Sequence, residues 1–150
     1  MAISDATMLG MANRFSVHIS RSSYDLGSWS QVDGLDVKWD MAEYRAGDAG
    51  NERWYFPANT HYSVVKLTRA ASAESNSVRK WLDSTSFKWE PQVASVVLHD
   101  SAGKPVTSWD LRAVMPLRWS VAGFDAGASK VVTETLELTH KGFLNDLMKL

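Results

Sequence analysis

The chain contains no cysteine. That excludes a disulfide framework and any thiolate chemistry, and it fits assembly inside a cell. A surplus of either charge is also missing. Sixteen basic against 17 acidic residues leave a formal net charge of -1, so the total encodes no broad pull toward nucleic acid or an anionic membrane. No segment approaches the roughly 20 consecutive apolar residues of a membrane span. The opening MAISDATMLGMANRF has neither a basic start nor a long apolar run. The expectation is a protein assembled in the cytoplasm without a signal peptide and without a membrane anchor.

Signatures of catalysis are missing too. There is no HExxH, paired CxxC or EF-hand pattern, and no GxSxG elbow among the many serines. The glycines at 47, 50, 123 and 127 do not form a phosphate cradle or a dinucleotide fingerprint. His18, His61, His99 and His140 stand at no ligand spacing, and the carboxylates are scattered, with nothing that marks a glycosidase pair. No catalytic, metal or cofactor residue is therefore assigned, and the chain is expected not to be an enzyme.

What is present is a single-domain length of 150 residues, enough to bury a core without staples. Seven tryptophans are unusual for that length. Each buries about 150–250 Å², which supplies a core and leaves aromatic material for an interface. One organising stretch runs from Gly27 to Arg69. Strand-like runs at Ser28–Trp39 and at Tyr62–Thr68 (YSVVKLT) flank a middle section from Met41 to Thr60. A structureless loop of that length is improbable inside a compact domain. Residues 41–60 are read instead as an extended inter-strand arm that orders against a partner. Trp54, Tyr55 and Phe56 are placed in its loop beside Arg53, a combination typical of interface hot spots.

Elsewhere the period-2 pattern dominates. Residues 1–13 have no period and read as an N-terminal arm. RFSVHIS puts Phe15, Val17 and Ile19 on one face. Tyr24 to Gly27 reads as a turn, and Asp33-Gly34 as a bulge or kink within one strand. The helix candidate is 72–84, with Val78, Trp81 and Leu82 as its apolar stripe, Ser72 or Ser75 as its cap, and Pro91 beyond it. VASVVLH is a buried-type strand, and Asp100 to Gly103 a turn. Val106–Trp119 alternates with Thr107, Trp109, Leu111, Ala113 and Met115 on one face, bent or interrupted at Pro116. After a loop at 121–130, Val131–His140 points Leu136 and Leu138 inward and Thr133, Thr135, Glu137 and Thr139 outward. Strands cluster and helices do not alternate with them. The fold class is mainly β: an antiparallel β-sandwich or barrel with one inserted α-helix.

The order of these segments resembles the tail tube proteins of contractile-tailed phages and the inner tube proteins of phage-like contractile injection systems. FSVHIS is similar to that family's first strand, and SQVDGLDVKWDMAEYRAG to its "v-G-L" strand and "Y-R-x-G" loop. VVKLTRA followed by VRKWL matches its "L-K-R-G … W" segment, with Ala70 where the family commonly has glycine. VVLHDSAGKPVTSWDLRAVMPLRW resembles its "D-x-x-G-x-p-v-x-x-W" hairpin, and VVTETLELTHKGF its closing "v-E-x-l-e-l-x-H-x-G-f" strand. The resemblance implies a non-enzymatic subunit that forms homohexameric rings stacked into a hollow tube inside a contractile sheath. It implies a tube driven through a target envelope, with sheath protein, baseplate or spike, and tube-terminating proteins as partners. Lumen cargo would be a protein effector, or DNA in a phage. On this reading Glu43, Tyr44, Arg45, Arg53, Trp54, Tyr55 and Phe56 form the ring-stacking interface. Thr133, Thr135, Glu137 and Thr139 face the lumen. The competing readings are a carbohydrate- or ligand-binding β-sandwich module that uses surface tryptophans, and a small β-barrel enzyme with a site assembled from distant strands.

Overall fold

A computed structural model of the chain describes residues 15–19, 25–45, 47, 50, 52–85 and 92–144. The expected arm at 1–13, Trp89, Pro91 and the tail past Leu144 lie outside the described residues. The elements are β1 (Phe15–Ile19), β2 (Asp25–Ser28), β3 (Gln31–Asp33), β4 (Val37–Tyr44), β5 (Trp54–Tyr62), β6 (Val65–Ala70), α1 (Ser75–Thr85), β7 (Gln92–His99), β8 (Pro105–Val121) and β9 (Thr133–Thr139). Seven strands form one antiparallel sheet in the order β2-β1-β7-β8-β9-β6-β3, and β4 pairs with β5 alone.

Alternation along the strands builds the core. Phe15, Val17 and Ile19 of β1, Ala94 and Val96 of β7, Leu136 and Leu138 of β9, and Val65 and Leu67 of β6 are all buried in one cluster. Because that cluster draws on both ends of the strand order, the sheet is folded over onto itself as a sandwich. The fold line is β8. Its first part pairs with β7 as far as Val114 opposite Gln92, and from Met115 onward it pairs with β9.

The change of partner alters the expected alternation in β8. Ala113 has a positive φ of 50°, and the registers slip between Gln92 and Ala94 and between Pro116 and Arg118. Inward positions therefore fall at Leu111 and Val114, three residues apart, in place of Leu111, Ala113 and Met115. Pro116 does not interrupt the strand; it sits at the slip, where a missing N–H costs least. The segment expected as a turn at Tyr24–Gly27 is also different: from Asp25 onward it is β2, paired with β1.

Helix α1 covers the sandwich with Val78 and Trp81, both buried, and Leu82 half-buried. Trp81 donates its indole N–H to Gln92 Oε1 at 3.0 Å, which satisfies the one polar atom of a large buried ring. Ser72 caps the start. Its Oγ accepts from the Glu74 N–H at 3.2 Å, and its own N–H donates to Ser75 Oγ at 3.1 Å. The turn between β7 and β8 is set by Asp100, whose Oδ1 accepts from the Ala102 and Lys104 N–H groups, each at 2.9 Å.

Candidate assembly interface

The arm begins at Gly34. Its φ is +91°, and a Cβ there would overlap the Val64 carbonyl oxygen, so only glycine passes this point without strain. The kink splits what the sequence suggested as one strand. β3 stays in the sandwich beside β6, and β4 leaves it to pair with β5. Trp54, Tyr55 and Phe56 are accordingly strand residues of β5, not loop residues. Their aromatic character already favoured a strand; Pro57 next to them obscured it, yet it is tolerated in a ribbon with two free edges.

The result is a two-stranded ribbon running from Val37 opposite Tyr62 to Tyr44 opposite Trp54. Every described residue from Lys38 to Asn59 is exposed. Arg45 closes the tip, donating from Nε and Nη2 to the Gly50 carbonyl at 3.2 and 3.0 Å. Pairing opposite residues assigns two faces. One carries Tyr44, Trp54, Ala42 and Phe56, with Asp40 accepting from His61 Nε2 at 2.6 Å. The other carries Trp39, Met41, Glu43 and Tyr55, with Arg53 Nη1 bonded to Glu43 Oε1 at 3.0 Å. Trp54 is 56% exposed and Tyr44 and Tyr55 61% each. An isolated hairpin is marginal in water at best, and six large apolar side chains stand exposed on its two faces, the pattern of an interaction surface.

The base of the ribbon is fixed to the body. Ser63 Oγ donates to Asp36 Oδ1 at 3.0 Å. His140 Nε2 lies 3.0 Å from the Ser63 carbonyl, and the Gly142 N–H donates to His140 Nδ1 at 3.0 Å. The ring is thus held as the neutral tautomer with the proton on Nε2. Tyr62 meets His140 and Phe143 edge-on. Arg112 reaches the same corner, donating from Nη2 to the Lys141 carbonyl at 3.2 Å. Burial, ahead of the opposing Ser63 hydrogen bond and with the Arg112 charge acting in the same sense as burial, holds the His140 pKa below its ordinary value.

The outward face of β9 presents Thr133, Thr135, Glu137 and Thr139, none of them buried. Register extends this face across four strands. Gln31, Thr68, Thr135 and Ser120 form one row, and Asp33, Lys66, Glu137 and Arg118 the next. The inward face of β9 holds Glu134, fully buried, which accepts a short hydrogen bond from Arg69 Nε. Arg69 also donates to the Leu26 carbonyl and to Glu74 Oε2, and it stacks 4.0 Å over Trp29. Trp119 Nε1 donates to Glu134 Oε2 at 3.3 Å. This buried pair is not among the residues singled out from the sequence, although period-2 counting from Leu136 and from Leu67 places both charges inward.

The expected stacking residues Glu43, Tyr44, Arg45, Arg53, Trp54, Tyr55 and Phe56 are thus gathered at the outer half of one ribbon, and Thr133, Thr135, Glu137 and Thr139 on a separate wall. The described tryptophans do not converge on a sugar platform: Trp29 and Trp81 are core, Trp109 and Trp119 half-buried, and Trp39 and Trp54 lie on opposite faces of the ribbon. Among the described residues no three His, Asp or Glu are grouped to hold a metal. A concavity of about 560 Å³ beside residues 122–133 is lined mostly by small and apolar residues with Asp125 and Lys130. No described helix is long and apolar enough to cross a membrane.

Residues 11–144 match the family model described as "T4-like virus tail tube protein gp19". No curated protein sequence matches the chain. Among solved structures, a chain of the anti-feeding prophage tube-terminating cap superposes with a TM-score of 0.74 at 20% identity, covering 93% of this chain and 95% of that one. A chain of the sheath–tube complex of an extracellular contractile injection system (PVC), in its extended state, gives 0.71 at 20% identity, covering 87% and 86%. A chain of the anti-feeding prophage baseplate gives 0.69 at 21%, covering 89% and 92%. These likenesses carry the fold.

Proposed function

The chain belongs to the T4-like virus tail tube protein family, a family of structural proteins and not of enzymes, and from that premise we propose that it is the inner tube subunit of a phage tail or contractile injection particle. Six copies form a ring, rings stack into a hollow tube, and a contractile sheath drives that tube through a target envelope. Sheath protein, a baseplate or spike, and a tube terminator are its partners; the similar solved chains come from a sheath–tube complex, a baseplate and a terminating cap. Assembly takes place in the cytoplasm.

The observation that carries this reading is the aromatic ribbon. Its two faces expose Trp39, Met41, Tyr44, Trp54, Tyr55 and Phe56, and large apolar side chains grouped in this way on a surface mark a site of interaction. A copy in the next ring covers it. The second support is the wall formed by β9 and its neighbours. Thr133, Thr135, Glu137 and Thr139 line the lumen, and the charged row beside them contains two acids and two bases. A wall of that kind is wet and carries no dominant sign, so cargo passes without electrostatic capture.

The test is negative-stain microscopy with sedimentation velocity on the purified protein. Wild type is expected to form rings or hollow tubes. Trp54→Ala and Arg53→Ala are expected to give folded subunits that stack poorly, because both side chains are about half exposed in the subunit and exposed substitutions cost within about 0.5 kcal/mol. Tubes of normal length from both variants would refute the stacking role of the ribbon.

A further inference from the structure

The polar wall occupies one side of the sandwich. The other side is the outward face of β2, β1, β7 and the first part of β8. Phe15, Val17 and Ile19 of β1 turn inward, so Ser16 and His18 turn outward. Ala94 and Val96 of β7 also turn inward, which leaves Ser95, Val97 and His99 on the outer face. Register sets Val97 opposite Ser16 and Ser95 opposite His18. His99 is two residues past Val97, and so is a diagonal neighbour of Ser16 on that face.

Two imidazoles meet there at one oxygen. Ser16 Oγ lies 3.1 Å from His18 Nε2 and 3.3 Å from His99 Nε2. His18 is exposed, and Ser16 and His99 are half-buried. A hydroxyl has a single hydrogen. One ring nitrogen therefore accepts from Ser16 and the other donates to it, which requires the two neutral rings in different tautomers. His99 Nδ1 is buried without a hydrogen-bond partner, so that ring engages its surroundings through Nε2. Ser16 is short, and rotation about one bond moves its hydroxyl aside. Two ring nitrogens then face one space. The sequence hides this arrangement, because Ser16 and His99 are 83 residues apart and only the β1–β7 ladder joins them.

We propose that His18 and His99 form a two-histidine chelate for a late transition-metal dication, bound through Nε2 of each ring. Imidazole suits zinc, copper and nickel, whereas calcium and magnesium call for oxygen ligands. Zinc draws such nitrogens in to about 2.0–2.1 Å, and water completes the coordination. Both rings ligate through a lone pair, so the tautomer mismatch at Ser16 disappears. For nitrogen donors the affinity order puts Cu²⁺ above Ni²⁺ and Zn²⁺. The other two histidines are engaged elsewhere: His140 uses both nitrogens in the hinge, and His61 bonds Asp40 on the ribbon. The ion ties β1 to β7 and binds only the folded chain in this geometry, so it adds to stability. The site does not depend on the tube reading; within that reading it lies on the side away from the lumen.

Titration calorimetry of EDTA-treated, dialysed protein with CuSO₄, NiCl₂ and ZnCl₂ tests the chelate. Wild type is expected to bind one ion per chain, Cu²⁺ most tightly, with a rise in Tm that EDTA reverses. His18→Gln and His99→Gln are each expected to lose the binding heat and the Tm rise, while the metal-free Tm and far-ultraviolet circular dichroism stay unchanged. His61→Gln is expected to keep both responses. Binding that persists in both His18→Gln and His99→Gln, or that disappears in His61→Gln, would overturn the site. So would a wild type that takes up none of the three ions at millimolar concentration. Ring and tube formation, scored separately by negative stain, tests the tube reading and leaves the chelate untouched.

Discussion

Arg69 and Glu134 face each other in register, 3% and 0% exposed, inside a sandwich core made of aliphatic and aromatic side chains. Arg69 holds five things at once: β9 through Glu134, β2 through the Leu26 carbonyl, the first turn before α1 through Glu74, the ring of Trp29, and β6 on which it sits. Removing one member leaves the other charge buried and uncompensated, which costs about 3–5 kcal/mol. Arg69→Met is therefore expected to lower unfolding stability by that amount in urea titration, with Glu134→Gln milder because Trp119 and Arg69 keep a neutral acceptor. Arg69→Met/Glu134→Leu should recover part of the single loss, since no buried charge remains. An unchanged urea midpoint for Arg69→Met would show that the pair carries no stability. Much at this scale was legible. Alternation placed Phe15, Val17, Ile19, Leu136 and Leu138 inward, and they are inward. The same count, extended from Leu67 and Leu136, puts Arg69 and Glu134 inward as well, yet a charge at an inward position is stable only with a partner, and that partner lies across the β6–β9 ladder. The partner is 65 residues away, beyond the reach of any local pattern.

At the scale of elements, the ribbon β4–β5 and its hinge are the unit to test. The strands on either side were legible from their β-prone runs, whereas the split between β3 and β4 was not, because a kink at Gly34 only becomes obligatory once Val64 is packed against it. The hinge also holds a titrating group. His140 accepts at Nδ1 from Gly142 and donates at Nε2 toward Ser63, with Tyr62, Phe143 and Arg112 around it. Protonation would put an N–H against the Gly142 N–H and a cation near Arg112. The folded chain thus refuses a proton that the unfolded chain accepts at its ordinary value near 6.5. More protons bound by the unfolded state means stability that rises with pH. His140 therefore contributes full stability above about pH 6.5, and the contribution falls away as the pH drops below it toward the depressed folded value. Urea midpoints between about pH 5 and 7.5 should slope upward with pH in wild type, and His140→Gln should flatten that slope. Parallel slopes in the two proteins would assign the pH dependence to other groups.

For the whole molecule, the sandwich satisfies itself and the ribbon does not. The body buries a contiguous core from β1, β6, β7, β8 and β9 with α1 as its cover, while every described residue between Lys38 and Asn59 faces outward. With the ribbon in its proposed stacking role, such a division makes stability depend on neighbours. Covering the ribbon ties folding to association by mass action, so the unfolding midpoint becomes a function of protein concentration. A solitary ligand-binding module would show no such dependence. Across a hundredfold change in concentration, the apparent stability of an assembling wild type should shift by up to about 2.7 kcal/mol for each subunit interface formed. That shift reads out as a rise of several degrees in Tm. Trp54→Ala should lose most of the shift while keeping the dilute midpoint, since its side chain contributes to the interface and little to the body. A midpoint that does not move with concentration in wild type would mean that the exposed aromatics do not couple subunits, and would return the ribbon to the status of a decorated surface.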